Sequence, residues 1–406
     1  MQGFFSASTL AQAKAPDARV PRCGACGLYR DCNTPKMPVA GQGERQILIV
    51  GDFPNGSDDN LGRWLTGVHG KYVRDILNQL GVDVWRDCWV TSALICHPGE
   101  FPEKSKYEDC APNLFKTIET LKPVTIICLG SDATLSITNR IWKKEGMEDG
   151  GRRFYGYVIP SQKINAWVCP MMHPRDIASH DDRLIGVAAR LFQRHLAEAL
   201  KKKKHPWVEV PDNNREIERI VSPTDAGAAI HEMLKECEHG GQLAFDYETN
   251  CLKPDSDEAR IVSCSLCLNG ERTIAYPWTS ITSAATDLIL QHKIPKIASN
   301  LKFEDRWTQA EFGRGVRRWE WDTMISAHVE NYRPGITSIK FQAFVKLGVP
   351  SWSDHIEPYL KSGKSSKVNR ILKEIAISDL LLYNGLDSLF EYRVAMIQQK
   401  LAGSTN

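Results

Sequence analysis

Two acids stand two residues apart at the end of an apolar run, in QLAFDYETN (242–250). On an extended strand, positions i and i+2 project from the same face, so Asp246 and Glu248 present their carboxylates side by side. Carboxylates held this close repel each other unless a cation joins them, and hard divalent ions take oxygen ligands of this kind. More polar residues follow in order. ASNLKFEDRW (298–307) holds Asn300, Glu304 and Asp305, WDTM (321–324) holds Asp322, and YNGLDS (383–388) holds Tyr383 and Asp387. The last two are four apart, which puts them on one face of a helix.

This ordered set resembles the proofreading exonuclease domain of family A DNA polymerases, over about residues 216–400. FDYET matches the first motif, NLKF followed by an acid the second, and Tyr-x-x-x-Asp the third; ITSIKFQAFVKLGV (336–349) is similar to the helix after the Asp-Thr-Met segment. The resemblance implies a DEDD-class 3′→5′ exonuclease of the tyrosine subclass. Asp246, Glu248, Asp387 and a second-motif acid would bind two Mg²⁺ or Mn²⁺ ions. One ion would lower the pKa of the attacking water, and the other would stabilise the leaving 3′ oxygen. Tyr383 would orient that water, and Asn300 and Asp322 would be structural or substrate-positioning. The family spacing lands the second-motif acid on Glu304, whereas the helix that follows fits better with Asp305. Successive helical residues point about 100° apart, so only one can aim at the ions; the helix favours Asp305.

Cysteines form the second constellation. Cys23-Gly-Ala-Cys26 has metal-hairpin spacing, and Cys96 and Cys110 bracket a thirteen-residue stretch. Four such thiols suit a [4Fe–4S] cluster or a Cys₄ zinc site, with Cys32 a possible substitute. Cys128, Cys169, Cys237, Cys264 and Cys267 read as core residues. The region 17–202 resembles the family 4 uracil-DNA glycosylases, through CGACGLYRDC, the segment VGDFPNGSDDNLGRWLTGVHGKYVRDIL, VTSALICHPGEFPEKSKYEDC, CLGSDA and MMHPRD. The resemblance implies a [4Fe–4S] cluster on Cys23, Cys26, Cys96 and Cys110. It transfers the catalytic pocket poorly. The family's motif Glu falls on Asp52, the uracil-reading Asn on Ser92, and the base-stacking aromatic on Leu65, with Trp64 beside it; His173 alone is unchanged. A base-flipping enzyme needs both stacking and edge readout, so the domain is expected to grip DNA without excising uracil.

Positioning these residues takes two domains. RQILIVGD (45–52), CWVTSALIC (88–96), TIICLG (125–130) and AWVCPMM (166–172) read as strands, alternating with helices at KYVRDILNQLG, CAPNLFKTIETLKP and 183–204. That alternation predicts a three-layer α/β domain around a parallel sheet. Residues 242–250, 259–270 and 272–280 read as an antiparallel meander, and from about 284 the pattern is mostly helical. This suits a ribonuclease H-like, DnaQ-like mixed-sheet domain. The expected layout is a flexible leader at 1–16, a glycosylase-like domain at 17–202, a linker at 203–216 and an exonuclease domain at 217–402. KSGKSSKVNR (361–370) holds a GKS but no Gly five positions before it, so it reads as a basic loop rather than a phosphate cradle.

With 42% apolar and 25% charged residues the chain is globular in composition, and it has no run of apolar residues long enough to span a membrane. No export signal is present, so the expected location is the cytoplasm of a bacterial or phage-infected cell, where the thiols stay reduced. Residues 1–204 carry net +6 and the remainder net −4, which suits a DNA-gripping half beside a metal-binding carboxylate half. The same two domains precede the polymerase in some phage DNA polymerases, so the expected partners are DNA 3′ ends and a DNA polymerase on a separate chain.

Overall fold

The computed structural model describes residues 24–99, 102–142, 151–178, 182–360 and 368–403. The leader at 1–16, Cys23 and most of the basic loop at 361–370 lie outside them. Two compact units divide at Val210 and Pro211, with residues 347–350 grouped with the first.

Strands β1 (Ile47–Gly51), β2 (Cys88–Ser92), β3 (Thr125–Leu129), β4 (Ile159–Ser161) and β5 (Ala166–Met171) form the first unit's sheet, in the order β2-β1-β3-β5-β4. The first, second, third and fifth run parallel, and β4 pairs antiparallel to β5 at the edge. The sheet is therefore mixed rather than wholly parallel. β4 carries Pro160, which cannot donate to a ladder and is tolerated at an edge. β1 and β3 are continuous apolar runs because helices cover both faces. Those helices are α1 (Gly56–Leu61), α2 (Val68–Gln79), α3 (Val84–Asp87), α4 (Lys104–Leu121), α5 (Ser131–Ile141), α6 (Pro174–Ala178) and α7 (Asp182–Leu200). Ile47, Ile49, Leu77, Ile127, Phe192 and Leu196 make one buried cluster.

The second unit runs β6 (Ile217–Arg219), α8 (Pro223–Glu236), β7 (Leu243–Thr249), β8 (Ile261–Leu268), β9 (Arg272–Pro277), α9 (Ser280–Leu290), β10 (Lys296–Ala298), α10 (Leu301–Phe312), β11 (Trp319–Asp322), α11 (Thr323–Glu330), α12 (Ile339–Leu347), α13 (Glu357–Leu360), α14 (Ile371–Glu374) and α15 (Ile377–Gly403). Its sheet has the order β11-β10-β7-β8-β9-β6. β7, β8 and β9 are the antiparallel meander, while β10 and β11 run parallel to β7 and β6 parallel to β9. This is the ribonuclease H-like arrangement. β6, β10 and β11, at three or four residues each, are too short for alternation to announce them. α15 packs across β7, β8 and β9 and is buried almost all round over its first half, so it carries no polar stripe there. Among the described residues no helix is long and apolar enough to cross a membrane.

Candidate functional site

Asp246 and Glu248 lie on β7, the central strand of the second sheet, and Asp387 on α15 packed against it. One carboxylate oxygen from each meets the others within 4.8 Å. Burial first, then Asp387, pushes the Asp246 carboxyl up to about 8, and burial with Asp246 pushes Glu248 well above the ordinary carboxylate range. Such crowding is relieved by protons or by cations. A hard divalent ion fits this oxygen set, and binding it would expel protons.

Glu304, on α10, is 2% exposed, and its Oε2 has no hydrogen-bond partner among the described residues. Burial and then the Asp246 charge raise its carboxyl well above the ordinary range. Asp305 is turned elsewhere: it accepts the Val316 N–H at 2.9 Å, the Trp319 indole N–H at 3.0 Å and the Gln309 amide at 2.5 Å. Of the two candidates for the second-motif acid, Glu304 is therefore the one that feels the Asp246 charge, while Asp305, which the sequence favoured, is engaged elsewhere. The buried face of α10 is Glu304, Trp307 and Thr308, the i, i+3, i+4 pattern of one helix face, and that pattern was readable in the sequence.

Asp322 is a brace. Its Oδ1 accepts from Met324 and Ile325 at 2.9 and 3.2 Å, capping α11, and from the Asn300 N–H at 3.1 Å; its Oδ2 accepts the Leu301 N–H at 3.0 Å, at the start of α10. Asn300 takes the left-handed conformation, φ 70°, that turns β10 into α10. Its side chain has a small steric cost there, and it sits immediately before the helix that carries Glu304.

Three residues at the centre escaped the sequence reading. Asn384 donates to Asp246 Oδ2 at 2.7 Å and is itself held by Ser263 at 2.9 Å. The Lys340 ammonium lies 2.8 Å from Asp387 Oδ2 and 4.8 Å from the centre of the Tyr383 ring. Burial opposes its charge, but Asp387 and Tyr383 outweigh that and hold the ammonium pKa well above its ordinary value. The Trp352 indole N–H donates to Asp387 Oδ1 at 2.9 Å. Tyr383 is buried, and burial followed by the Asp387 charge raises its phenol well above the ordinary range, so it acts as a neutral hydroxyl.

In the first unit Cys26, Cys96 and Cys110 line one small cavity with Leu28 and Asn113. The Lys36 N–H lies 3.2 Å from Cys96 Sγ and the Asn113 amide 3.4 Å from Cys110 Sγ. Backbone and side-chain N–H groups aimed at sulfur are what a thiolate-held cluster needs around it, so these residues fit one; the fourth expected ligand, Cys23, is outside the described residues. Cys32 does not line the cavity.

Asp52, Leu65, Ser92 and His173 come together around a second cavity of about 280 Å³, with Trp64, His69 and Arg175. Ser92 donates its hydroxyl proton to the Leu94 carbonyl. Leu65 is in the left-handed region, φ 58°; its backbone lies so close to Gly70 that any Cβ there would overlap it. Trp64 is 4% exposed and donates to the Pro38 carbonyl. Burial, then Asp132, raises the Asp52 carboxyl to about 7, and Asp52 accepts the Ala133 N–H at 2.8 Å. Burial and Arg175 lower His173 to about 4. Its Nδ1 accepts the Arg175 N–H at 3.0 Å, which leaves a neutral ring with the proton on Nε2.

A mixed α/β unit with this cavity belongs to a known class: residues 38–202 match the Uracil DNA glycosylase superfamily. The chain belongs to its type-4 uracil-DNA glycosylase family through this first unit, being 30% identical over 162 residues to the type-4 enzyme of Pyrobaculum aerophilum, 38% of this chain and 79% of that protein. A longer match, 24% identical over 328 residues, is to the DNA polymerase of Bacillus phage SP01; it takes in 73% of this chain and 34% of the polymerase, so the chain spans about a third of that relative. Among solved structures, the catalytic core of RRP6 from Trypanosoma brucei is similar to 47% of this chain over 48% of its own, with 17% identity and a TM-score of 0.35.

Proposed function

We propose that the second unit is a two-metal 3′→5′ DNA exonuclease of the proofreading type, working in association with a DNA polymerase. The first unit is then a glycosylase-like domain that binds DNA and leaves uracil in place. The observation that carries the nuclease reading is the meeting of the Asp246, Glu248 and Asp387 oxygens within 4.8 Å, beside the unpartnered Glu304 Oε2. Asp246, Glu248 and Asp387 would hold one divalent ion, and Asp246 with Glu304 the other. When bound, the ions activate water and neutralise charge on the departing oxygen.

The chain's own residues do the rest. Asn384 fixes the rotation of Asp246. Tyr383, kept neutral, directs a water lone pair or proton through its hydroxyl. Lys340 bridges Tyr383 and Asp387, which locks the hydroxyl's position and adds a fixed positive charge on that side of the centre. Cys23, Cys26, Cys96 and Cys110 would hold a [4Fe–4S] cluster that ties the first unit's loops together, a structural contribution to folding.

Ser92 and Leu65 weigh against uracil excision. Ser92 spends its only donor on the Leu94 carbonyl, so a uracil carbonyl finds no hydrogen from it. The isobutyl side chain of Leu65 cannot stack as a ring does. The second reading is a repair enzyme that excises uracil and then trims the end, and the intact cavity with His173 and Asp52 favours it. The test is incubation of the Asp246→Ala protein with uracil-containing DNA, followed by alkali. Intact strands are expected; alkali-sensitive sites would establish the repair reading instead.

A further inference from the structure

The proposed ion sites use four acids, and the centre contains a fifth. Glu391 lies one turn after Asp387 on α15, so Tyr383, Asp387 and Glu391 rise along one helix face at steps of four. It is 2% exposed, and its Oε2 has no hydrogen-bond partner among the described residues. The charges it feels come from Asp246, Glu304 and Asp387, with Lys340 the opposing one. Glu304 and Glu391 are thus two buried carboxylates, each with an oxygen lacking a partner among the described residues, and the charge of Asp246 acts on both. A buried unpartnered carboxylate is costly unless protonated or met by a cation, and two of them beside one acid fit a cation centre better than a purely structural role.

We propose that Glu391 is a fifth carboxylate of the nuclease centre, which serves the cation at Asp246 and Glu304 from the buried side, through water. It rests on the exonuclease reading. It adds one negative charge where Lys340 adds one positive, so the net charge presented to two divalent ions matches that of a four-acid centre. The predicted consequence is that the ion at the Glu304 side depends on Glu391 for its affinity.

The test is Mn²⁺ titration of the whole chain, read as loss of the free-ion electron paramagnetic resonance signal, with wild type, Glu391→Gln and Glu391→Asp. Wild type is expected to bind two ions. Glu391→Gln should bind one as before and the other about tenfold to a hundredfold more weakly, as loss of a supporting ligand does at other metal sites; Glu391→Asp should fall between. The metal-free Glu391→Gln protein should melt no lower than wild type, since an isosteric neutral group relieves repulsion. Unchanged affinity for both ions in both variants would overturn the proposal while leaving the nuclease reading intact. Failure of wild type to bind Mn²⁺ at all would overturn the nuclease reading as well.

Discussion

At the scale of single residues, neighbouring acids face opposite ways. Glu304 and Asp305 are adjacent in sequence, but packing of Trp307 and Thr308 turns Glu304 inward, while Asp305 ties α10 to Val316 and Trp319. Glu304→Gln should cost activity by a hundredfold or more and leave the metal-free melting temperature unchanged or higher. Asp305→Ala should keep turnover per folded molecule and lose about 1–3 kcal/mol of stability, because it strands a backbone N–H and an indole N–H. Thermal melts with and without Mg²⁺, beside digestion rates, separate the two. In the other unit Asp52 gives a pH signature. A carboxyl held near 7 when folded and near 3.8 when unfolded binds its proton more tightly in the folded chain. Wild-type stability should therefore decline as pH rises from about 4 to 7. Asp52→Asn, which can still accept the Ala133 N–H, should remove that decline and gain up to roughly 4 kcal/mol above neutrality. A parallel pH profile for the two proteins in denaturant titrations would contradict the buried, uncompensated carboxyl.

At the scale of elements, what the sequence revealed depended on periodicity and length. Asp246 with Glu248, and Tyr383 with Asp387, were legible because strand and helix periods put each pair on one face. β10 and β11 were not, being only three and four residues long, and their register is set by neighbours rather than by their own pattern. Lys340 and Trp352 reach Asp387 from 47 and 35 residues away, a convergence that no local spacing encodes. Glu391 carried a signal, the third residue at a spacing of four on α15 after Tyr383 and Asp387, that stood in plain view. The rotation of α10 could have been read from Trp307 and Thr308, yet the helix's far end pointed to Asp305. Asp322 is where elements are pinned together: it accepts N–H groups from the start of α10 and from the first turn of α11. Asp322→Ala should cost about 2 kcal/mol or more, beyond a single N-cap, and should slow digestion by loosening Glu304. Asp322→Asn, which keeps one acceptor oxygen, should recover part of both. Equal stability of Asp322→Ala and wild type would remove the brace.

At the scale of the whole molecule, one chain carries a member of the type-4 uracil-DNA glycosylase family and a ribonuclease H-like unit with a carboxylate centre. Net charge divides with them, positive over residues 1–204 and negative beyond. DNA binding by the chain should therefore weaken steeply with salt, as phosphate contacts require, and fluorescence anisotropy across salt concentrations checks it. The central claim is tested most directly with a 5′-end-labelled single-stranded oligonucleotide, incubated with Mg²⁺ and with wild type or Asp246→Ala. The account predicts a ladder that shortens one nucleotide at a time from the 3′ end with wild type, no shortening when Mg²⁺ is chelated, and none with Asp246→Ala. A ladder from Asp246→Ala equal to that of wild type, or no shortening by wild type at any Mg²⁺ or Mn²⁺ concentration, would contradict it.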